Sequence, residues 1–349
     1  MEKKVTIQDI ADALNLSRNT VSKAINNSDG LAESTREIIL QKAVEMGYKQ
    51  FSYVKDYLDA SAGKEKETDT SEDSGEIALL TASMINSSHF ASPMLDKFTQ
   101  EIHQLGYQLI TYRVTPQNIE HMTLPRTFVK ENIRAVMCIE IFDQAYSDMI
   151  CSLGLPVLFI DSAPIFTGKT VNADLLLMNN LSGIIQFITD MAAKGIKKIG
   201  FVGDFKHCQS FHERYLAFRI GMINAGLKID ERYVICPKDG NLDNMADMLE
   251  EMESYPEVFI CANDFVAIDA ILILRNLGKS IPEEIRILGF DDSPESRTFL
   301  PTLSTVHIHT QAMAFAALQL LISRIKEPAM ENRIVHVATD LILRESTQI

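Results

Sequence analysis

The chain has 349 residues, of which 46% are hydrophobic and 23% are charged, so a mainly disordered chain is excluded. At roughly 150 residues per domain, this length predicts two or three domains. The chain carries 33 Lys and Arg against 47 Asp and Glu, a net charge of −14. Averaged over the whole chain, that charge argues against a nucleic-acid partner, because phosphate groups repel an acidic protein.

The acidic charge is unevenly distributed along the chain. Residues 1–58 carry 8 basic and 8 acidic side chains, whereas residues 77–349 carry 23 and 32. Between them, residues 59–76 read DASAGKEKETDTSEDSGE, with 2 basic and 7 acidic side chains and no large apolar residue. Such a segment has nothing to bury and is predicted to be a solvated linker. We therefore predict a domain at 1–58, an acidic flexible linker at 59–76 and a domain at 77–349.

The first domain begins with the pattern of two capped helices. Thr6 and Asp9 have the spacing of a capping box, and Ile7, Ile10, Ala11 and Leu14 form the apolar face behind them. Asn15 suits the left-handed backbone of a tight turn, and Ser17 is expected to cap a second helix with Val21, Ala24 and Ile25 facing inward. This arrangement predicts a helix-turn-helix. A third helix over Glu33–Met46 is expected to complete the core through Ile38, Ile39 and Val44.

The second helix presents polar side chains that suit DNA. Arg18 and Asn19 lie near its amino end, and these side-chain types pair with guanine and adenine edges in a major groove. The short donors and the cation that can reach phosphate oxygens are Thr6, Ser17, Thr20, Ser22 and Lys23. The other reading of this pattern is a helical hairpin with an inert polar surface.

From Ile77 onward, short apolar runs alternate with amphipathic stretches. Buried parallel strands are expected at Ile77–Ala82, Gln108–Tyr112, Ala135–Ile139, Val157–Asp161, Lys198–Gly203, Val258–Ala262 and Ile285–Asp291. Helices are expected at Met94–Leu105, Leu181–Ala193, Glu213–Ala225, Met245–Glu253 and Phe265–Leu277, four of them ended by Gly106, Gly195, Gly226 and Gly278. About a dozen strands exceed one ordinary sheet, so two doubly wound α/β subdomains are predicted, with ligands bound where strands end.

Sequence motifs along almost the whole chain resemble the lactose/galactose-repressor (LacI) family of bacterial transcription regulators. In the first domain these are V-T-I-x-D-I-A from Val5, S-x-x-T-V-S-K-x-I-N from Ser17, Thr35-Arg36-Glu37 and Gly47-Tyr48. In the second they are Gly195–Gly200, Asn263-Asp264 with Ala267, Gly278–Pro282, Ile287–Asp292 and Pro301–Val306. The resemblance implies a helix-turn-helix head joined to a core like that of periplasmic sugar-binding proteins.

The resemblance also implies roles in DNA binding. Arg18 and Asn19 match the family's base-reading pair, and the matches to its phosphate contacts are Thr6, Ser17, Thr20, Ser22 and Asn26. Family members bind near-palindromic operators as homodimers, each protomer reading one half-site. The family's minor-groove leucine is replaced by Tyr57, and its x-P-N after Gly47-Tyr48 by Lys49-Gln50-Phe51, so the hinge departs from the family pattern.

In the second domain, the resemblance implies a small-molecule effector between the subdomains. The positions that match are Ser88, Phe90, Asp161, Arg214, Asn263 and Asp291. Acid, amide and guanidinium groups beside one aromatic ring suit a polyhydroxylated ligand, so a carbohydrate is expected. A purine or a phosphoprotein corepressor is the alternative effector.

Other functions have weaker support. The sequence has no G-x-G-x-x-G, P-loop or G-x-S-x-G motif, and we predict no enzyme, no cofactor and no metal site. A solute-binding protein without a DNA role is opposed by the Arg18/Asn19 helix and by the absence of a secretory signal. Widely spaced cysteines and the lack of a membrane-length apolar run predict a reduced, cytoplasmic protein without membrane contact. The linker is interpreted either as a plain spacer or as a charge that weakens nonspecific DNA binding.

Overall fold

Two short helices begin the part of the chain that can be described. The computed structural model describes residues 6–25, six positions between 35 and 46, and residues 75–82, 90–166, 168–238 and 241–348. The chain divides into two units, Met1–Glu72 and Asp73–Ile349, which are treated separately below. Asn26, Tyr57, Ser88 and the predicted linker up to Ser74 lie outside the described residues.

The first unit has the predicted caps and turn. Helix α1 spans Ile7–Leu14, and the capping box is confirmed: Asp9 N donates to Thr6 Oγ1 at 3.3 Å, and Thr6 N donates to Asp9 Oδ2 at 2.8 Å. Asn15 then takes the left-handed conformation, with φ of 55°. Helix α2 spans Arg18–Ile25, and Thr20 N donates to Ser17 Oγ at 3.0 Å. These local bonds determine where both helices begin.

A small apolar core joins these helices to a further helical segment. Its fully buried members are Ile10, Ala11, Val21, Ala24, Ile39 and Ala43. The prediction was wrong for Ile38, whose side chain is 56% exposed. Successive residues on a helix point about 100° apart, so only one of the pair Ile38 and Ile39 can face this core. Val44, the third predicted core residue, lies outside the described residues.

In the second unit, one sheet contains six parallel strands. Their order across the sheet is β11-β5-β4-β3-β1-β2. The bounds are β1 Gly75–Thr81, β2 Tyr107–Arg113, β3 Ile133–Ile139, β4 Val157–Ile160, β5 Asp174–Met178 and β11 Ile334–Val337. Strand β1 begins two residues earlier than predicted, because Gly75 and Glu76 pair with Tyr107 and Gln108. Backbone pairing needs no apolar side chain, so a hydrophobicity pattern does not reveal it.

The second sheet contains four parallel strands, in the order β7-β6-β8-β9. The bounds are β6 Ile199–Val202, β7 Val234–Ile235, β8 Val258–Cys261 and β9 Arg286–Leu288. Strands β10, Thr305–Ile308, and β12, Thr339–Ile342, form an antiparallel pair. Single bridges from Leu288 to Ser304 and from Asp291 to His307 place β10 beside the end of β9.

Helices cover these sheets and end largely where predicted. They are α3 Ala91–Gln104, α4 Pro116–Glu120, α5 Gln144–Cys151, α6 Ser182–Ala193, α7 Gln209–Asn224, α8 Leu242–Glu250, α9 Asp264–Asn276, α10 Pro294–Thr298 and α11 Thr310–Lys326. The four predicted terminal glycines, Gly106, Gly195, Gly226 and Gly278, are confirmed, with φ between 67° and 91°. The predicted α/β class with two doubly wound subdomains is confirmed.

The chain passes between the two sheets three times. The first crossover, residues 179–181, links β5 to α6. The second, His309, links β10 to α11, and the third, Ala338, links β11 to β12. Asn179 N donates to Val337 O at 2.7 Å, and Thr339 Oγ1 donates to Asn179 O at 2.8 Å, so the first and third crossovers are bonded together. These three short segments form the hinge between the subdomains.

A buried ion cluster holds the last strand of the six-stranded sheet. Asp174, at the start of β5, is fully buried, and both Arg324 and Arg333 donate two bonds each to its carboxylate. Arg333 N donates to the same carboxylate at 2.8 Å, and Leu175 N donates to Arg333 O at 2.8 Å. The cluster therefore joins α11 and the strand β11 to β5.

Candidate functional site

In the first unit, the predicted DNA-contacting side chains lie around the start of α2. Arg18 and Asn19 lie in the first turn of α2, and their side chains are exposed. Elsewhere in this unit, Thr6, Ser17 and Lys23 are also exposed, while Thr20 and Ser22 are half-buried. The hydroxyls of Ser17 and Thr20 lie 2.8 Å apart, so the cap also orients Thr20. Exposed Arg and Asn side chains at a helix amino end have the placement that base reading in a major groove requires.

In the second unit, predicted effector residues follow parallel strands. Asp161 comes directly after β4 of the first sheet, while Asn263 and Asp291 come shortly after β8 and β9 of the second. Asp161 and Asp291 both have positive φ, 64° and 115°. Non-glycine residues in this region are uncommon and concentrate at functional sites. Asp161 thus belongs to the first subdomain, and Asn263 and Asp291 belong to the second.

The guanidinium of Arg214, on α7, links the first crossover to the strand ends of the second subdomain. Its side chain is almost fully buried; Nε donates to Asn180 Oδ1 at 2.9 Å and Nη1 donates to Ala262 O at 2.7 Å. The same Nη1 lies 3.5 Å from Asp291 Oδ1, and the guanidinium carbon lies 3.6 Å from the centre of the Phe290 ring. A flat cation held in this way is preorganised, since little conformational freedom remains to be lost on binding.

Asp161 links the two subdomains directly. Its Oδ1 accepts from Ser162 N at 2.8 Å and from Ser210 N at 3.1 Å, so a carboxylate of the first subdomain caps the amino end of α7 in the second. Beside it, Gln209 N donates to Ser162 O at 2.8 Å, and Ile165 N donates to Gln209 Oε1 at 2.8 Å. Burial raises the pKa of Asp161, which these bonds and Arg214 partly offset.

Asp291 lies in an acidic environment. Burial, followed by the charges of Asp264 and Glu140, raises the pKa of Asp291 to about 7, against the lowering effect of Arg214. Asp264 is itself fully buried; burial raises its pKa to about 6, although Thr305 Oγ1 and Ser293 N donate to its carboxylate. Both carboxyl groups therefore titrate near neutral pH, where a bound ligand can change their protonation state.

Two predicted residues have evident structural roles. Asn263 caps α9, accepting from Val266 N at 2.9 Å through its side-chain oxygen. Phe90 precedes α3, is partly buried and packs against the large apolar core. Sequence analysis missed Asn180, whose Nδ2 donates to Glu213 Oε2 at 2.8 Å and so orients the amide toward Arg214. The signal for Asn180 was its place after a short apolar run, Leu175–Met178, which was not recognised as a strand.

His307 and His309 form separate local contacts with acidic side chains. His307 Nδ1 lies 2.9 Å from Asp292 Oδ2, and His309 Nε2 lies 3.0 Å from Asp340 Oδ2. All five cysteines have free thiols. Within the described ranges, no three His, Cys, Asp or Glu side chains gather as a metal-binding group. None of the described helices combines the length and apolar character needed to cross a membrane.

The chain is similar to known regulators in both units. A family model described as bacterial regulatory proteins, lacI family, matches residues 6–50, and one described as a periplasmic binding protein-like domain matches residues 188–347. The HTH-type transcriptional repressor PurR of Pasteurella multocida (strain Pm70) is 26% identical over 354 residues, covering 98% of each chain.

Solved structures show the same fold. A transcriptional regulator CelR–cellobiose complex has a TM-score of 0.66 at 20% identity, over 98% of this chain and 100% of that one. The lac repressor dimer bound to operator and the anti-inducer ONPF has a TM-score of 0.64 at 18% identity, over 99% and 100%. The capped helix-turn-helix, the two subdomains and the full-length similarity to a repressor agree with the family models: the chain carries a lacI-family helix-turn-helix domain and a periplasmic binding protein-like domain.

Proposed function

We propose that this chain represses transcription by binding a near-palindromic operator as a homodimer, under the control of a small carbohydrate. The DNA part is carried by one observation: Arg18 and Asn19 are exposed at the capped amino end of α2. The effector part is supported by Arg214, held between the hinge residue Asn180 and the strand-end residues Ala262 and Asp291. As an operator-binding repressor, the protein acts in the cytoplasm.

Control by the effector would work through the hinge. A ligand that forms hydrogen bonds with both subdomains favours one angle between the subdomains. The subdomains would rotate about the three short crossovers, and this rotation would change how the helix-turn-helix head binds DNA. Ligand and operator affinities are then coupled reciprocally, typically by about 1–3 kcal/mol. Asn180 adjoins Asn179, which bonds the third crossover, so the orientation of Arg214 depends on the hinge.

The proposed function is tested by mobility shift of DNA upstream of the gene, with and without each compound of a thermal-shift screen. A sequence-specific shift that one carbohydrate changes by about 5- to 150-fold is expected. Hypoxanthine and guanine belong in the screen, because a nucleobase that alone produces this change would support the purine alternative. A response that needs a phosphorylated protein would support the corepressor alternative.

Arg18→Ala is expected to weaken operator binding by about 1–3 kcal/mol, because one good base contact contributes this much, and to relax preference at a single base pair. Binding to a panel of single-base operator variants measures both effects. Lys23→Ala is the control: losing a phosphate contact weakens all sequences alike and reduces the salt dependence. An Arg18→Ala protein with unchanged base preference would contradict the proposed docking of α2.

The surface that would join two copies is the exposed apolar face of α9. Phe265 is 39% exposed and Leu272 47%, and Arg275 of the same helix lies 5.8 Å from the Phe299 ring, next to the 71% exposed Leu300. Phe265 and Leu272 are seven residues apart on α9 and so lie on one face, and an exposed apolar face of this kind is typical of an association site. A second copy is the occupant that a near-palindromic operator requires, since each protomer supplies one head.

Leu272→Asp is expected to shift the protein from dimer to monomer in sedimentation velocity, since a charge would be buried in the apolar contact. It should also reduce operator affinity, because two linked heads bind more tightly than one. Leu216→Asp on α7, where the leucine is 40% exposed, is the matched control and should remain dimeric. Dimers of the Leu272→Asp protein, or monomers of the control, would place the interface elsewhere.

A further inference from the structure

Hydrogen bonds connect a loop of the first subdomain to Arg214 through a chain of side chains. Ile165 N, in the loop after β4, donates to Gln209 Oε1 at 2.8 Å, and Gln209 Nε2 donates to Glu213 Oε1 at 3.0 Å. Asn180 Nδ2 donates to the other oxygen, Glu213 Oε2, at 2.8 Å, and Asn180 Oδ1 accepts from Arg214 Nε at 2.9 Å. We call these five residues the relay.

The side chains of the relay are shielded from water. Asn180, Gln209 and Arg214 are buried, and the side chain of Glu213 is only 12% exposed. Both amides have their oxygen and their nitrogen bonded, so the orientation of each amide is determined by two partners at once. A change at one end of the relay therefore has to be accommodated by the next member.

Glu213 is the junction of the relay. Its two oxygens accept from Gln209 on one side and from Asn180 on the other, and His336 Nε2 of β11 lies 3.5 Å from Oε1. A carboxylate accepts at both oxygens, whereas an amide of the same size offers an oxygen on one side and an N–H on the other. Position 213 therefore requires an acid, because with Gln one donor would face another donor.

The relay crosses between the subdomains at the bond from Ile165 N to Gln209 Oε1. Two further bonds lie beside it: Gln209 N donates to Ser162 O at 2.8 Å, and Ser210 N donates to Asp161 Oδ1 at 3.1 Å. The amino end of α7 is thus bonded to the loop after β4 at three places. Rotation of one subdomain against the other would change these distances, and the Gln209 amide would have to follow.

We propose that Glu213 is a positioning residue that couples the orientation of Arg214 to the angle between the two subdomains. This inference rests on the proposed function, because it concerns the regulation of the same site. Through Glu213, a ligand bound at Arg214 favours one angle, and an angle that operator binding selects alters the arginine that the ligand meets. Neither Glu213 nor Gln209 was among the effector residues predicted from the sequence.

The experiment measures hydrogen exchange of arginine Nε–H groups by NMR, in the full chain labelled at arginine and without added ligand. Glu213→Gln should speed exchange of the Arg214 Nε–H by about tenfold, the effect of losing one hydrogen bond to a charged group. Gln209→Met, which breaks the relay farther from Arg214, should speed it by about threefold. The Arg324 Nε–H, buried against Asp174, is the internal reference for a general loss of stability and should keep its rate.

A double variant distinguishes a relay from two independent contacts. Because Gln209 is proposed to act through Glu213, the protein with both Gln209→Met and Glu213→Gln should exchange the Arg214 Nε–H no faster than Glu213→Gln alone, whereas independent effects would multiply. Glu231→Gln is the matched control. Glu231 pairs with Arg219 of the same helix, so its loss should leave the exchange at Arg214 unchanged.

Mobility shift of upstream DNA by the same proteins, without added compound, gives the functional readout. Glu213→Gln and Gln209→Met should both change operator affinity, in the same direction, because both release the same angle between the subdomains. Operator affinities equal to that of the parent would overturn the coupling between Glu213 and this angle.

The exchange rates test the positioning role separately from DNA binding. An unchanged Arg214 rate in the Glu213→Gln protein, or an equal increase at Arg324, would overturn the positioning role of Glu213. Rates that multiply in the double variant would overturn the relay. If the parent protein shifts no DNA in a sequence-specific way, the proposed function fails, and the exchange rates still decide whether Glu213 positions Arg214.

Discussion

Asp174→Asn is expected to lower the free energy of unfolding of the second unit by about 3–5 kcal/mol, the typical cost of breaking a buried ion pair from one side. Asp174 is fully buried and accepts from Arg324 at 2.8 and 3.1 Å and from Arg333 at 2.7 and 3.3 Å. A neutral amide cannot accept all these bonds, so two guanidinium groups would face each other without a counter-charge.

Urea unfolding followed by circular dichroism measures this loss in the transition of the second unit. Asp148→Asn is the matched control, because Asp148 pairs with Lys169 at the surface and such pairs contribute about 0–1 kcal/mol. If both variants lost less than about 1 kcal/mol, the proposed role of the cluster in stability would be wrong.

Acid should produce the same loss in the unmodified protein. Burial alone would raise the pKa of Asp174, but the bonds from Arg324 and Arg333 outweigh it and hold the pKa below its ordinary value. A carboxyl with a lowered pKa in the folded state stabilises the fold above its unfolded pKa of about 3.9. This contribution is lost as pH falls through the folded value, so the difference between parent and Asp174→Asn should shrink below about pH 4.

Arg214→Met is expected to weaken effector binding by about 30- to 1,000-fold, or about 2–4 kcal/mol, and to abolish the effect of the ligand on operator binding. Hydrogen bonds to charged groups contribute about 1.5–3 kcal/mol each, and truncating one partner leaves the others unpaired. Here Asn180 and Ala262 would lose their donor, and Asp291 would lose its nearby cation.

Calorimetry with the carbohydrate identified in the screen measures this prediction. Arg219→Met is the matched control, because Arg219 lies on the same helix but pairs with the exposed Glu231. A readout without ligand is the carboxyl titration of Asp291 by carbon NMR: since Arg214 lowers the pKa of Asp291, its removal should raise that pKa above about 7. Equal ligand affinity in both variants would contradict the role of Arg214.

Local sequence signals predicted local structure well. The capping box of Thr6 and Asp9, the turn at Asn15 and the four terminal glycines each depend on residues within one helical turn, and all are confirmed. Apolar runs also located the main strands, because buried parallel strands are apolar throughout. The last long helix, α11, escaped prediction since it is apolar on several sides, packing against α3, β4 and β5.

The residues of the candidate site were likewise predicted where the signal is local. The motifs identified Asp161, Arg214, Asn263 and Asp291 as polar residues near strand ends or on a helix, which is a local property of the chain.

The sequence by itself determined the two-unit organisation, the helix starts and the identity of most polar groups in the cleft. Only the tertiary structure decided that Asp161 caps α7, that Asn180 orients Arg214 and that Glu213 accepts from Asn180. The reason is physical: caps and apolar periodicity are set by neighbours a few residues apart, whereas these partners lie 33–49 residues away along the chain and meet only after the sheets form.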